Sequence, residues 1–384
     1  MDKVRFGIIG VGNMGSGHLK SFRDNLVPGG VLTAIADLKE DRRAFAKGEM
    51  PGIEVFDDAE KMMDSGLIDA VIIAVPHYYH PLYSEMALKK NIHVMCEKPI
   101  AVYTKAVHPV LEAAKNSDAI FAMMFNQRTN CLYRKMKEIV ESGELGEIKR
   151  TSWIITDWYR TQAYYDSGAW RATWAGEGGG VLLNQCPHQL DMFQWICGMP
   201  VKVSAHLHEG KWHDIEVEDD VTAYLEYPNG ATGVFITTTG DFPGTNRFEV
   251  DLDGGKLVCE NGKLQMWKLK EPCSVTTKTC QQGFARPDFE YVPEVETDGE
   301  NLQHVGVLRA FVGAILRGEP LVAKGEEGIR GLTLSNAMHL SSWLGRPVEL
   351  PLDEDLYLAE LNKRRATSRH KDDSGIVFDT EGSY

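Results

Sequence analysis

Short apolar runs separated by amphipathic stretches dominate the first third of the chain. Lys3–Ile9, Val31–Ala36, Asp69–Val75, Ile92–Cys96 and Ala119–Phe125 are each too short for a helix and suit buried strands. Helical patterns fall between the later ones, near Tyr79–Lys90 and Lys105–Ser117. Strands alternating with helices predict a doubly wound parallel sheet, with ligands bound outside the carboxyl ends of its strands. After Phe125 the pattern changes. A helical stretch around Thr129–Ser142 leads into β-rich runs, first Ile148–Tyr159 and then several between Val201 and Lys268. Asn229-Gly230, Asp253-Gly254-Gly255 and Asn261-Gly262 punctuate these runs as hairpin signals. Helical patterns return at Asn301–Leu316, Glu327–Leu344 and Asp353–Arg365.

The expected fold class is therefore α/β, with a parallel nucleotide-binding domain over residues 1–125 and an α+β domain over 126–384. The second domain is expected to carry an open, mainly antiparallel sheet, one face on helices and the other free for a homo-oligomer contact. The last residues, from about Ser368, read as an extended tail that clasps a neighbour or stays mobile.

Composition narrows the setting without naming the chemistry. The 384 residues are 43% hydrophobic and 25% charged, ordinary for a globular protein, and long enough for two cores. A formal charge of −14 argues against nucleic acid or an anionic membrane as partner. No run is long and apolar enough to span a bilayer, and the start lacks a basic-then-apolar leader. Seven cysteines, odd in number and without C-x-x-C spacing, fit reduced thiols in a cytoplasm rather than disulfides or a metal centre.

Gly10-Val11-Gly12-Asn13-Met14-Gly15 follows the first strand and is a G-x-G-x-x-G. Gly10 serves the tight turn, Gly12 admits a pyrophosphate, Gly15 allows close helix–strand packing, and the helix N-terminus faces the phosphates. An acid is required about 20 residues on, and Asp37 stands there, at the end of the second strand. Its carboxylate suits ribose hydroxyls and repels a 2′-phosphate, so NAD is favoured over NADP. Lys39, Arg42 and Arg43 soften that preference. Val75, Pro76 and His80 leave another strand end and should line the same cleft, as should Glu97-Lys98-Pro99. A lysine at that edge reaches whatever a bound cofactor reacts with, and Pro99 fixes the backbone just after it.

A second constellation lies downstream. Gly178-Gly179-Gly180 precedes an amphipathic stretch in which Asn184, His188 and Asp191 stand at i, i+4 and i+7, one face of a helix. Pro187 either kinks that helix beside His188 or marks a later start. His188 reads as a proton-transfer group or a satisfied structural histidine, and Asp191 as its holder or a cap for a neighbouring segment. A metal is discounted, because one helix offers too few ligands. Trp158-Tyr159-Arg160, Tyr164-Tyr165, Trp170-Arg171 and Trp174 crowd the preceding segment. Such aromatics stack on sugar rings, and arginines bind hydroxyls or carboxylates, although much of this set is expected to be packing. Asn126, Arg128, Tyr159 and Arg160 are candidate substrate contacts.

The G-x-G-x-x-G at Gly10–Gly15, Glu97-Lys98-Pro99, and Gly178-Gly179-Gly180 followed by Asn184 and His188 together resemble the Gfo/Idh/MocA oxidoreductases, from Val4 to about Leu350. The resemblance implies a Rossmann domain, a C-terminal domain whose open sheet mediates oligomerisation, and NAD(P)-dependent oxidation or reduction of sugars, inositols or related polyols. It implies Lys98 as catalytic lysine and His188 as catalytic histidine. Many members carry aspartate where Asn184 stands, and asparagine cannot support an imidazolium by charge. Two rival readings are a glycosidase using NAD for transient oxidation and a non-catalytic sugar sensor. Joint retention of Lys98 and His188 favours an enzyme, and net NADH accumulation separates a dehydrogenase from the glycosidase.

Overall fold

The computed structural model describes residues 2–371. Its first sheet contains β1 (Val4–Ile9), β2 (Gly30–Ala36), β3 (Glu54–Phe56), β4 (Ala70–Ile73), β5 (His93–Cys96) and β6 (Phe121–Met123). All pairings are parallel and the spatial order is 3-2-1-4-5-6. Strands buried on both faces need continuous apolar runs, and β4, with Ala70, Val71, Ile72 and Ile73 all fully buried, shows why. The order reverses between β1 and β4, which places a ligand crevice at their carboxyl ends. One face of this sheet is covered partly from far away in sequence. The helix Gln303–Arg317 packs there, and Phe6 contacts both Phe22 (ring centroids 4.9 Å apart) and Phe311 (6.1 Å).

The second sheet contains β7 (Ile148–Ile155), β8 (Lys202–Glu209), β9 (Glu218–Glu226), β10 (Thr232–Thr238), β11 (Asn246–Leu252), β12 (Gly255–Glu260), β13 (Lys263–Leu269), β14 (Phe289–Val292) and β15 (Val348–Glu349). Its order is 14-13-12-11-7-10-9-8-15. The three glycine turns connect β9–β10, β11–β12 and β12–β13 as hairpins. The meander is not continuous, however. β7 inserts between β11 and β10 and runs parallel to β10, the one parallel pair among the described strands of this sheet. β7 also stops at Ile155, four residues before the expected Tyr159, and the aromatic segment that follows is irregular.

Helices Pro187–Cys197 and Gly328–Leu344 cover one face of this sheet. Trp153 of β7 stacks on Phe248 of β11 at 4.3 Å between centroids, and Phe193 of the first helix closes on Phe235 and Phe248. Most of the expected tail lies outside the described residues. The part within them folds onto its own chain: Ser368 Oγ donates to Glu216, and Lys371 Nζ donates to the carbonyls of Tyr165 (2.7 Å) and Arg171 (3.3 Å).

Candidate active site

β1 ends at Ile9 and the chain turns through Gly10, whose φ is +85°. A Cβ on Gly10 would lie 2.5 Å from the Ala74 carbonyl oxygen, and one on Gly15 only 1.9 Å from the Gly10 oxygen. A Cβ on Gly12 would meet nothing within 4 Å. Two glycines thus permit the turn and the packing, while the third faces open space. The helix Asn13–Arg23 that starts there has no side-chain cap at Gly12 and no acidic residue in its first turn, so its positive end suits an anion. Asp37 accepts from the Val11 N–H (2.7 Å) and the Lys39 N–H (2.9 Å), bracing the loop at the end of β2. Arg42 holds the same loop through the Val11 carbonyl and Ser16 Oγ. These features fit a dinucleotide: space for a pyrophosphate at Gly12 and a carboxylate at the ribose position.

Val75 and Pro76 are half-buried at the end of β4 and border this crevice. His80, expected as a cofactor contact, is placed otherwise. Its Nδ1 lies 2.6 Å from the Pro99 carbonyl and its Nε2 2.7 Å from the Val75 carbonyl, so the buried ring clasps two strand-end loops together. Both ring nitrogens are committed to main chain.

Glu97 is buried below the cleft. Burial pushes its carboxyl up, yet the His18 hydrogen bond (2.7 Å) and the nearby His304 and Lys98 hold it at about 2. The Lys98–Pro99 bond is cis. Lys98 is half-buried and donates from Nζ to the Asn184 carbonyl at 2.9 Å. Burial lowers its pKa, Glu97 opposes that, and Arg171 lowers it further.

The glycine run packs too tightly for side chains. A Cβ at Gly180 would stand 1.9 Å from the Glu218 carbonyl oxygen, and the Glu218 carboxylate accepts from the N–H groups of Gly180 and Leu182. Residues 181–186 form turns, and the helix begins at Pro187. Proline is favoured at a first helical position because its missing N–H would be unpaired there anyway. Asn184 therefore precedes the helix, and the expected common face with His188 and Asp191 does not exist. Tertiary contact brings Asn184 to Lys98 instead.

His188 is 5% exposed, and neither ring nitrogen has a hydrogen-bond partner among the described residues. Burial, then the Lys98 charge, drive its pKa well below the usual histidine value, so the ring is neutral. Asp191 does not hold it. Asp191 accepts a bidentate pair from Arg128 (2.7 and 2.8 Å), and Arg128 also reaches Glu327. Arg128, expected to touch substrate, is 3% exposed and locked in this network. Asn126 is also buried; its amide donates to Gln303, while its Oδ1 has no hydrogen-bond partner among the described residues.

One residue escaped the sequence reading. Glu177, just before the glycine run, is buried; its carboxyl accepts from the Asn184 side-chain amide and from the Ala172 N–H (2.6 Å). Burial raises its pKa, with Arg171 opposing. A carboxyl thus stands beside Asn184 rather than at position 184. The only local signal was an acid abutting three glycines. Tyr164 completes the cluster: its hydroxyl accepts from Arg171 (2.9 Å) and Gln185 (3.1 Å) and faces Asn184 Oδ1 at 3.5 Å. Arg160 lies over the Tyr164 ring, and Tyr159 is exposed beside Phe242.

Comparisons with known proteins agree with this geometry. Residues 4–125 match the oxidoreductase family with an NAD-binding Rossmann fold, and residues 133–258 match the GFO/IDH/MocA C-terminal domain. The chain belongs to the Gfo/Idh/MocA oxidoreductases. It is 26% identical over 358 residues to myo-inositol 2-dehydrogenase of Thermotoga maritima, covering 90% of this chain and 98% of that one. It is 28% identical over 357 residues to inositol 2-dehydrogenase of Rubrobacter xylanophilus, covering 90% and 93%. The WlbA dehydrogenase of Chromobacterium violaceum, solved with NADH and UDP-GlcNAcA, superposes with a TM-score of 0.79 at 25% identity, covering 92% and 97%. Levoglucosan dehydrogenase, solved with NADH and levoglucosan, shares the fold at TM-score 0.74 and 22% identity, covering 91% and 100%. The chain is an NAD-dependent oxidoreductase of this family.

Proposed function

We propose that this chain oxidises a secondary ring hydroxyl of a sugar, a glycoside (at a position such as C3) or an inositol, with residues 1–125 holding the cofactor and 126–384 the substrate. NAD, when bound, supplies the hydride acceptor. The chain's own groups handle the oxygen. Lys98 is an ammonium whose position is set by the Asn184 carbonyl, and it stabilises the alkoxide that develops as the hydroxyl is oxidised. His188 accepts the hydroxyl proton, since the neutral ring offers a lone pair near pH 7. Asn184, held by Glu177, places the Lys98 ammonium through its carbonyl and contacts a neighbouring hydroxyl. Tyr159, Arg160 and the open side-chain oxygen of Asn126 supply substrate contacts, and Arg128, locked by Asp191 and Glu327, does not.

The observation that carries this reading is His188. A deeply buried imidazole with both nitrogens unpaired is costly unless a ligand pairs with it. The inositol dehydrogenases among its relatives support a cyclic polyol or sugar. The outer face of the second sheet, where Tyr224 is 44% exposed, is the surface proposed for assembly into a homo-oligomer. A panel of sugars, glycosides and inositols with NAD and NADP, followed at the NADH absorbance, tests the assignment. Net NADH from at least one cyclic substrate is expected, and turnover confined to acyclic alcohols refutes it.

A further inference from the structure

Two arginines converge on one tyrosine at the substrate side of the site. The Arg171 guanidinium lies 4.6 Å from the Tyr164 ring centroid and 4.7 Å from that of Trp170. The Arg160 guanidinium lies 5.3 Å from the Tyr164 ring and 5.4 Å from that of Trp158. The aromatic faces fix both cations in place, as stacked guanidinium groups do. Lys98 belongs to the same cluster through Asn184, whose side chain faces the Tyr164 hydroxyl.

Carboxylates face this cluster, Glu177 opposite Arg171 and Asp157 opposite Arg160, but neither arginine is closed into an ion pair. Among the described residues, Arg171 makes one side-chain hydrogen bond, to the Tyr164 hydroxyl, and Arg160 makes one, to the Tyr159 carbonyl. Neither forms an ion pair, whereas Arg5, Arg128, Arg247 and Arg369 each pair with a carboxylate. Glu177 accepts from the Asn184 and Ala172 amides and acts on Arg171 through space, as Asp157 does on Arg160. A guanidinium presents five N–H donors, so each arginine keeps most of its donors open. Two stacked guanidinium groups with most donors open, beside Lys98, suit an anion that arrives with the ligand.

We propose that the substrate is a sugar acid whose carboxylate is bound by Arg171 and Arg160. A carboxylate matches the planar donor fork of arginine in bidentate fashion. A phosphate uses the same donors but brings a second negative charge toward Glu177. The inference deepens the proposed oxidation of a ring hydroxyl and rests on it for turnover, not for binding.

The test uses matched pairs on the full chain with NAD: gluco-, galacto- and manno-configured uronates, each against its neutral parent sugar, with glucose 6-phosphate alongside. Charge-assisted hydrogen bonds of this kind predict a kcat/KM ratio of about 100 in favour of the acid of the best pair. Arg171→Met should cut that ratio at least about tenfold, with thermal unfolding checking that the variant is folded. A wild-type ratio under about tenfold, or glucose 6-phosphate preferred over every uronate, overturns the proposal. An unchanged ratio in Arg171→Met overturns the role of Arg171. If no sugar yields NADH, calorimetric titration of the enzyme–NADH complex separates the two readings. Uronates binding more tightly than their parents keep the carboxylate assignment and remove ring-hydroxyl oxidation; equal binding removes the carboxylate assignment.

Discussion

Asn184 donates its side-chain amide to the buried carboxyl of Glu177 while its own backbone carbonyl accepts the Lys98 ammonium at 2.9 Å. One residue thus joins a buried acid to the lysine at the strand end. Asn184→Asp would set two carboxyls against each other. Burial already raises Glu177 above the usual 4.5, and a second acid raises it further. A raised carboxyl contributes stability below its unfolded value and loses it as pH climbs through the folded one. The melting temperature of Asn184→Asp should therefore fall below wild type, with a larger deficit at high pH than at low pH. A deficit independent of pH speaks against this coupling.

Lys98→Met removes the cation proposed to stabilise the alkoxide. Turnover should drop by about a hundredfold to a thousandfold, the scale set by losing one preorganised donor in a water-poor site. NADH binding, followed by fluorescence titration, should persist. Retained turnover would remove Lys98 from the chemistry.

Gly12→Ala separates folding from cofactor binding. The added methyl meets nothing within 4 Å in the protein alone. It should leave thermal unfolding unchanged yet weaken NADH binding by at least about tenfold, since overpacking costs of order 1–3 kcal/mol. Equal affinity would place the pyrophosphate elsewhere.

His18→Ala exposes the dependence of Glu97 on its partner. Both side chains are almost fully buried. Because the folded Glu97 sits at about 2, its contribution to stability is present above the usual 4.5 and is lost as pH falls through 2. The variant strands a buried carboxylate at neutral pH, at a cost of about 3 kcal/mol. Urea unfolding should show this difference at pH 7 and a shrinking one in acid.

Arg128→Ala tests whether that arginine is structural. Breaking a buried ion pair by removing one partner costs about 3–5 kcal/mol. Stability should fall by that amount in urea unfolding. A stable protein with a raised KM would restore Arg128 as a substrate contact.

The legible features were those whose cause is local. Gly10, Gly12 and Gly15 answer to backbone space within one turn, and Asn229-Gly230 or Asn261-Gly262 to a hairpin's need for positive φ at the turn. The apolar runs marked β1, β2, β4, β5 and β6 because strands of a covered parallel sheet are buried on both faces. The short β3, Glu54–Phe56, had no such run and went unmarked.

Other features were out of reach of spacing. Asn184 and His188 sit four apart in either reading, and only the proline at the first helical position shows that they are not on one helix face. Arg128 finds Asp191 and Glu327 across 63 and 199 residues, which turned an expected substrate contact into a structural one.

By itself, then, the sequence determined the alternation of elements, the dinucleotide loop, and the lysine at a strand end, because each depends on neighbours along the chain. The tertiary structure decided which polar groups are paired and which are left open. It gave Asp191 to Arg128 and, among the described residues, left both nitrogens of His188 without a partner and Arg160 and Arg171 outside any closed ion pair. The physical reason is that charge and hydrogen-bond satisfaction depend on distance in space, and strands and helices bring together residues that no sequence interval relates.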